Sequence, residues 1–106
     1  MENQIVVLIT VPSRDVGRTI AHSLVEKRLA ACVNILPVMT SVYTWEEAVQ
    51  EEEEVLLVVK TRVEIFEEEF VPAVKAMHPY DVPEIIALPI VMGWKPYLDW
   101  IVESTR

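Results

Sequence analysis

Residues 31–60, ACVNILPVMTSVYTWEEAVQEEEEVLLVVK, decide the fold. Ala31–Leu36 is a run of small and apolar residues that reads as a strand. Pro37 cannot donate to a ladder and marks a bulge or an edge, after which Thr40-Ser-Val-Tyr-Thr-Trp45 continues extended. An acidic turn follows at Glu46–Glu47, and the chain returns as a strand reaching Val55-Leu-Leu-Val-Val-Lys60. Two strands thus follow one another with no helical segment between them.

Helical patterns flank this hairpin on both sides. Upstream, Ile5–Val11 is a β-branched strand closed by Pro12. Ser13 offers a cap to a helix over Arg14–Arg28, whose stripe is Val16, Ile20 and Leu24. Downstream, Thr61-Arg-Val-Glu64 fits a capping box, and Val63, Phe66, Phe70, Val74 and Met77 keep helical spacing. Pro72 interrupts that stripe and predicts a kink or π-like irregularity over about Phe66–Pro72, not a helix end. A loop with two prolines, His78–Pro83, leads to a strand over Ile85–Val91, and Pro96–Val102 reads as a short terminal helix. The order β-α-β-β-α-β plus a C-terminal helix is the ferredoxin-like arrangement of an α+β sandwich. No linker or repeat divides residues 1–106, so they read as a single domain.

Two features argue for self-association. The strands Ile5–Ile9, Val55–Val59 and Ile85–Leu88 are apolar at odd and even positions alike, so both sheet faces need cover. The short last helix can shield only part of the second face. In addition, the 15 residues of Ala31–Trp45 would span roughly 45–50 Å, against a diameter of roughly 34 Å for a compact chain of this size. The hairpin must bend at Pro37 or project, carrying Val42, Tyr43 and Trp45 with it.

Composition sets the limits on function. With 106 residues, 52% hydrophobic and 25% charged, the chain is globular. Nine Lys and Arg against 17 Asp and Glu give a net charge of −8, which disfavours nucleic acid and anionic membrane as partners. Glu51–Glu54 and Glu67–Glu69 read as solvated faces. The start, Met1-Glu-Asn-Gln4, lacks a basic n-region, and no apolar run approaches a membrane span; the expectation is a soluble, cytoplasmic protein. The single cysteine, Cys32, excludes an intrachain disulfide and reads as a small buried hydrophobe. His22 lies opposite the Val16–Ile20–Leu24 stripe, on the exposed side. No Ser/His/Asp set, glycine-rich phosphate loop or HExxH helix supports an enzyme, and with Gly17 and Gly93 alone the chain cannot build an acylphosphatase cradle.

Leu29-Ala-Ala-Cys-Val-Asn-Ile35, Ser41-Val-Tyr-Thr-Trp45, the Lys60-Thr61 strand end, His78-Pro-Tyr-Asp-Val-Pro-Glu84 and Tyr97-Leu-Asp-Trp100 together resemble the CutA family of divalent-cation tolerance proteins, over essentially the whole chain. The resemblance implies a ferredoxin-like protomer in a PII-like homotrimer, a link to copper and other divalent cations, and no settled catalytic activity. Its copper ligands, where assigned, are a cysteine near the end of strand one and two adjacent histidines. Here those positions hold Ile9, Met77 and His78, so one histidine remains. Metal binding, to copper or another divalent cation, is therefore expected to be weak and centred on His78, with Met77 and Glu84 as helpers; no cofactor is required. Glu47 stands where the family usually has glycine.

Each candidate residue has a structural and a functional reading. His78 is a backbone-bonded loop histidine or a cleft ligand. Tyr80 and Glu84 orient that loop or act in the cleft. Lys60 holds an anion between subunits or pairs near its strand end, and Trp45 anchors an interface or stacks on a ligand. Trp45, Lys60, Tyr80 and Glu84 form the expected inter-subunit cleft. The leading function is a trimeric cation-tolerance protein binding a metal or small ligand there. The alternative is a PII-like signalling or protein-anchoring trimer with no metal role.

Overall fold

A computed structural model describes residues 3–106. The elements in chain order are β1 (Gln4–Val11), α1 (Arg14–Glu26), β2 (Cys32–Ile35), β3 (Met39–Trp45), β4 (Ala48–Arg62), α2 (Val71–Met77), β5 (Ile85–Pro89) and α3 (Lys95–Ser104). The strands pair in the order β2-β4-β1-β5, all antiparallel, with β3 on the outer half of β4. The register sets Ile9 beside Leu57 and Ile85, and Val7 beside Val59 and Ala87. This is the expected ferredoxin-like order. The bend also falls where Pro37 stands, splitting the long second strand into β2 and β3.

One sheet face is the core. Ile5, Val7, Ile9 and Val11 alternate with solvent-side neighbours and pack with Val55, Leu57 and Val59 against Ile20 and Leu24 of α1 and Phe70 and Val74 near α2. Ser13 caps α1, its hydroxyl accepting the Val16 N–H at 3.2 Å. Gly17 allows the helix to lie close to the sheet: a Cβ there would stand 3.1 Å from Leu57 Cδ2. The helix ends at Glu26, two residues before the expected Arg28. Arg28 turns left-handed with φ 60°, and the N–H groups of Leu29 and Ala30 both return to the Leu24 carbonyl. The Arg28 guanidinium donates to the Glu103 carbonyl at 2.7 Å, tying this turn to α3.

The capping box at Thr61 does not form. Thr61 still belongs to β4, is fully buried, and donates its hydroxyl to the Leu29 carbonyl at 2.7 Å. The strand runs further than its apolar segment because Gln4 and Ile5 of β1 pair with Arg62 and Thr61. A turn of 3-10 helix (Val63–Ile65) and a π turn (Phe66–Phe70) then lead into α2. The π irregularity sits where Pro72 predicts it. The Val71 N–H reaches back five residues to the Phe66 carbonyl, and Pro72, which has no N–H to donate, falls in the first turn of α2. Phe70 and Val74 both remain fully buried.

The second face is only part-covered. α3 lies across one end, where Leu98 and Ile101 pack on Ala31 and the Gln4 amide donates to the Leu98 carbonyl at 3.0 Å. Cys32 is half-buried, not sealed in the core, with its sulfur 3.7 Å from the Tyr97 hydroxyl. Beyond α3, Val6, Leu8, Leu56 and Val58 are half-buried, and Ile86 and Leu88 are exposed. The β3–β4 hairpin projects from this sheet and lengthens the chain to 44 × 25 × 24 Å. No helix among the described residues is long and apolar enough to cross a membrane.

Candidate functional site

A cleft of about 730 Å³ opens between the uncovered sheet face, one side of the hairpin and the loop after α2. Leu8, Thr10 and Leu56 form its floor, Tyr43 and Trp45 one wall, and Tyr80 and Glu84 the other. Three of the four residues expected to share a cleft, Trp45, Tyr80 and Glu84, therefore line the same space. Lys60 does not. It lies further along β4, and its ammonium donates to the Asn34 side-chain oxygen on β2. Its expected structural role was an ion pair; a neutral amide takes that place.

The loop wall is built on Thr10. His78 is 8% exposed and places its ring against the end of β1. Its Nδ1 accepts the Tyr80 backbone N–H at 3.2 Å, so this nitrogen carries no proton. Its Nε2 therefore carries the hydrogen and donates to the Thr10 carbonyl at 2.7 Å. The Thr10 hydroxyl in turn donates to a Glu84 carboxylate oxygen at 3.2 Å. One threonine thus fixes both ends of the His78–Glu84 segment.

The same geometry sets what these residues can offer a metal within one protomer. A ligating imidazole needs a free lone pair, and both His78 nitrogens are engaged with backbone. Met77 packs against the apolar core, and Glu84 is held by Thr10. Among the described residues, no group of three or more His, Cys, Asp and Glu is placed to hold a metal ion.

Sequence reasoning missed the most unusual carboxylate. Glu54 ends the glutamate run that reads as a solvated face, yet it is only 5% exposed. The Tyr80 hydroxyl donates to its Oε2 at 2.6 Å. Burial, then this bond to an anion, pushes the Tyr80 phenol well above its ordinary value. The signal was present in the strand period. Glu54 shares parity with Leu56 and Val58, so it falls on the second sheet face at the cleft floor. On the hairpin, Tyr43 bonds Glu52 across the strands, and that bond pushes the exposed phenol up to about 12.

Residues 5–104 match the family described as CutA1 divalent ion tolerance protein. The chain belongs to the CutA1 family. The divalent-cation tolerance protein CutA of Thermus thermophilus is 59% identical over 100 residues, covering 94% of this chain and 96% of its own. The chloroplastic CutA of Arabidopsis thaliana is 52% identical over 102 residues, covering 96% of this chain but 56% of its own length. The chain thus spans nearly all of the bacterial relative and about half of the plant one. Among solved CutA structures, that from T. thermophilus superposes with a TM-score of 0.94 at 57% identity, covering 97% of this chain and 99% of its own. The Archaeoglobus fulgidus protein, described as a periplasmic divalent cation tolerance protein, gives 0.92 at 44% identity, again covering 97% and 99%. The fold and family expected from the sequence are those found.

Proposed function

We propose that this CutA1-family chain works as a homotrimer in the divalent-cation response, with one small-ligand cleft per protomer completed between subunits. The observation that carries this is the uncovered second face. Val6, Leu8, Leu56, Val58, Ile86 and Leu88 form a continuous apolar surface that α3 leaves open, flanked by a projecting hairpin with Val38, Val42 and Val49 exposed. A soluble monomer rarely leaves such a surface bare. The candidate cleft lies at its margin, so covering the face with neighbours would wall the cleft from a third side.

Copper held by His78 is not part of this reading, since that ring has no free nitrogen. Tolerance would then follow from sensing or sequestering a small molecule, not from a buried metal centre. An anchoring role is the second reading, and Val91, Met92 and Trp94, exposed at 76–87%, are the surface that favours it. The cytoplasm remains the proposed compartment, on the lone cysteine; cell fractionation tests it against the chloroplast and the periplasm named for relatives.

Light scattering on the purified chain tests the assembly. A species near three times the 12.1 kDa chain mass supports the trimer, and a 12.1 kDa species at micromolar concentration overturns it. Calorimetry with copper tests the rest: tight stoichiometric binding abolished by His78→Ala would overturn the reading of that ring as structural.

A further inference from the structure

We propose that the cleft between the hairpin and the His78–Glu84 loop binds an organic ammonium cation, a positive nitrogen on a small hydrocarbon body. This rests on the cleft being the ligand site, and it names the chemistry of that ligand.

The charge of the lining is one-sided. Glu54, Asp81 and Glu84 face the space, and no lysine, arginine or histidine lines it. A phosphate, nucleotide or carboxylate ligand would meet three carboxylates and no counter-charge. The remaining lining is aromatic and apolar: Tyr43, Trp45 and Tyr80 with Leu8, Leu56 and Met39. Such walls strip water from a ligand without replacing it by ligating atoms. A small hydrated metal ion loses more there than it gains, because it needs several oxygen or nitrogen donors at once. An alkylammonium ion is weakly hydrated, buries its carbons on the aliphatic floor, and is attracted by aromatic faces.

Glu54 supplies the anchoring charge. Its side chain is buried at 5% exposure and opens on the cleft. One oxygen accepts the Tyr80 hydroxyl, while the other accepts no hydrogen bond among the described residues. A buried carboxylate with an open oxygen, bonded by Tyr80 in a cleft that Tyr43 and Trp45 also line, is a site for a desolvated cation. Tyr80 holds that carboxylate in place, and Thr10 holds Glu84 on the opposite wall.

The test uses the assembled, full-length protein and two-dimensional NMR of the Trp45 indole and the Glu54 amide. The probes are the hydroxybutyl-trimethylammonium ion, the uncharged alcohol of the same shape with carbon in place of nitrogen, and butyl sulfate. Saturable shifts at both signals with the cation, at least about tenfold tighter than with the alcohol, support the proposal. Glu54→Gln should bring the cation's affinity down to that of the alcohol while the fold, checked by its amide spectrum, is kept. Equal binding of cation and alcohol overturns the cation class but leaves the cleft as a ligand site. Preferential binding of butyl sulfate overturns it likewise. If no probe moves either signal in a protein that is trimeric, a neighbouring subunit fills the cleft and both proposals about it fail. The native protein alone decides between these outcomes, so the proposal stands or falls without any variant.

Discussion

The two faces of the sheet are made of the same residue types and have different fates. Ile5, Val7, Ile9, Val11, Val55, Leu57 and Val59, at 0–4% exposure, meet α1 and α2. Their neighbours one residue along, Val6, Leu8, Leu56 and Val58, are just as hydrophobic and remain half-open. The difference lies in what the chain has left to cover them. Two helical segments, α1 and the Val63–Met77 segment, cross the first face, whereas the ten residues of α3 span only the end of the second. Burial on the first face makes the protomer; the hydrophobicity of the second is available for partners and for the cleft.

Perturbing each face separately should break or sharpen that contrast. The largest effect is expected at Leu57, which is fully buried between β4 and α1. Leu57→Ala should cost about 2–5 kcal/mol in denaturant unfolding, by lost transfer energy plus a cavity. A loss comparable to that of a surface change would mean the covered face is not the core. Next is Val58→Asp, on the open face beside Asn34 and Leu8. It should leave the circular dichroism of the folded chain intact while weakening assembly by about 2 kcal/mol or more, seen as dissociation in light scattering. Unfolding of the protomer by this change would erase the distinction between the faces.

A smaller effect is expected where the two faces meet the loop. Tyr80→Phe deletes the hydrogen bond to the buried Glu54 carboxylate and should lower stability by roughly 1.5 kcal/mol, measurable by thermal melting. An unchanged melt would mean that water replaces the hydroxyl without cost. At the hairpin tip the expected change is a gain. Glu46 and Glu47 both adopt left-handed backbone, with φ 52° and 66°, which suits asparagine and glycine far better. The double change Glu46→Asn, Glu47→Gly should raise stability by about 1 kcal/mol. A fall in melting temperature would show that the glutamates do something at the tip beyond turning the chain.

The smallest effect is a pH dependence at the hairpin. The bond to Glu52, with burial and the nearby carboxylates, raises the folded Tyr43 value from 10.0 to about 12. The protonated phenol is therefore favoured in the folded state. Its contribution is fully present below pH 10 and is lost as the pH rises toward about 12. Ultraviolet titration of phenolate absorbance should show tyrosine ionisation delayed beyond pH 10, and Glu52→Gln should return one phenol, that of Tyr43, toward its ordinary value.

Much of this was legible from local pattern. Ser13 with the Val16–Ile20–Leu24 stripe names α1, and Pro72 within an otherwise unbroken stripe marks the π turn. What local pattern did not reach has a common cause. Thr61-Arg-Val-Glu64 has the spacing of a capping box, but pairing with Gln4 and Ile5, distant in sequence, keeps Thr61 in the strand and gives its hydroxyl to Leu29. His78 reads either as a backbone-bonded loop histidine or as a ligand, and its Nε2 partner is the Thr10 carbonyl, 68 residues away in sequence.

The sequence by itself determined the element order, the two apolar sheet faces and the bend at Pro37, because these follow from strand and helix periods and from proline's missing donor. Only the tertiary structure decided which carboxylate is buried, what engages each His78 nitrogen and which candidates share a cleft. Those properties depend on partners brought together across the sheet. Glu54 and Tyr80, 26 residues apart in the chain, meet at 2.6 Å through pairings that no local window contains.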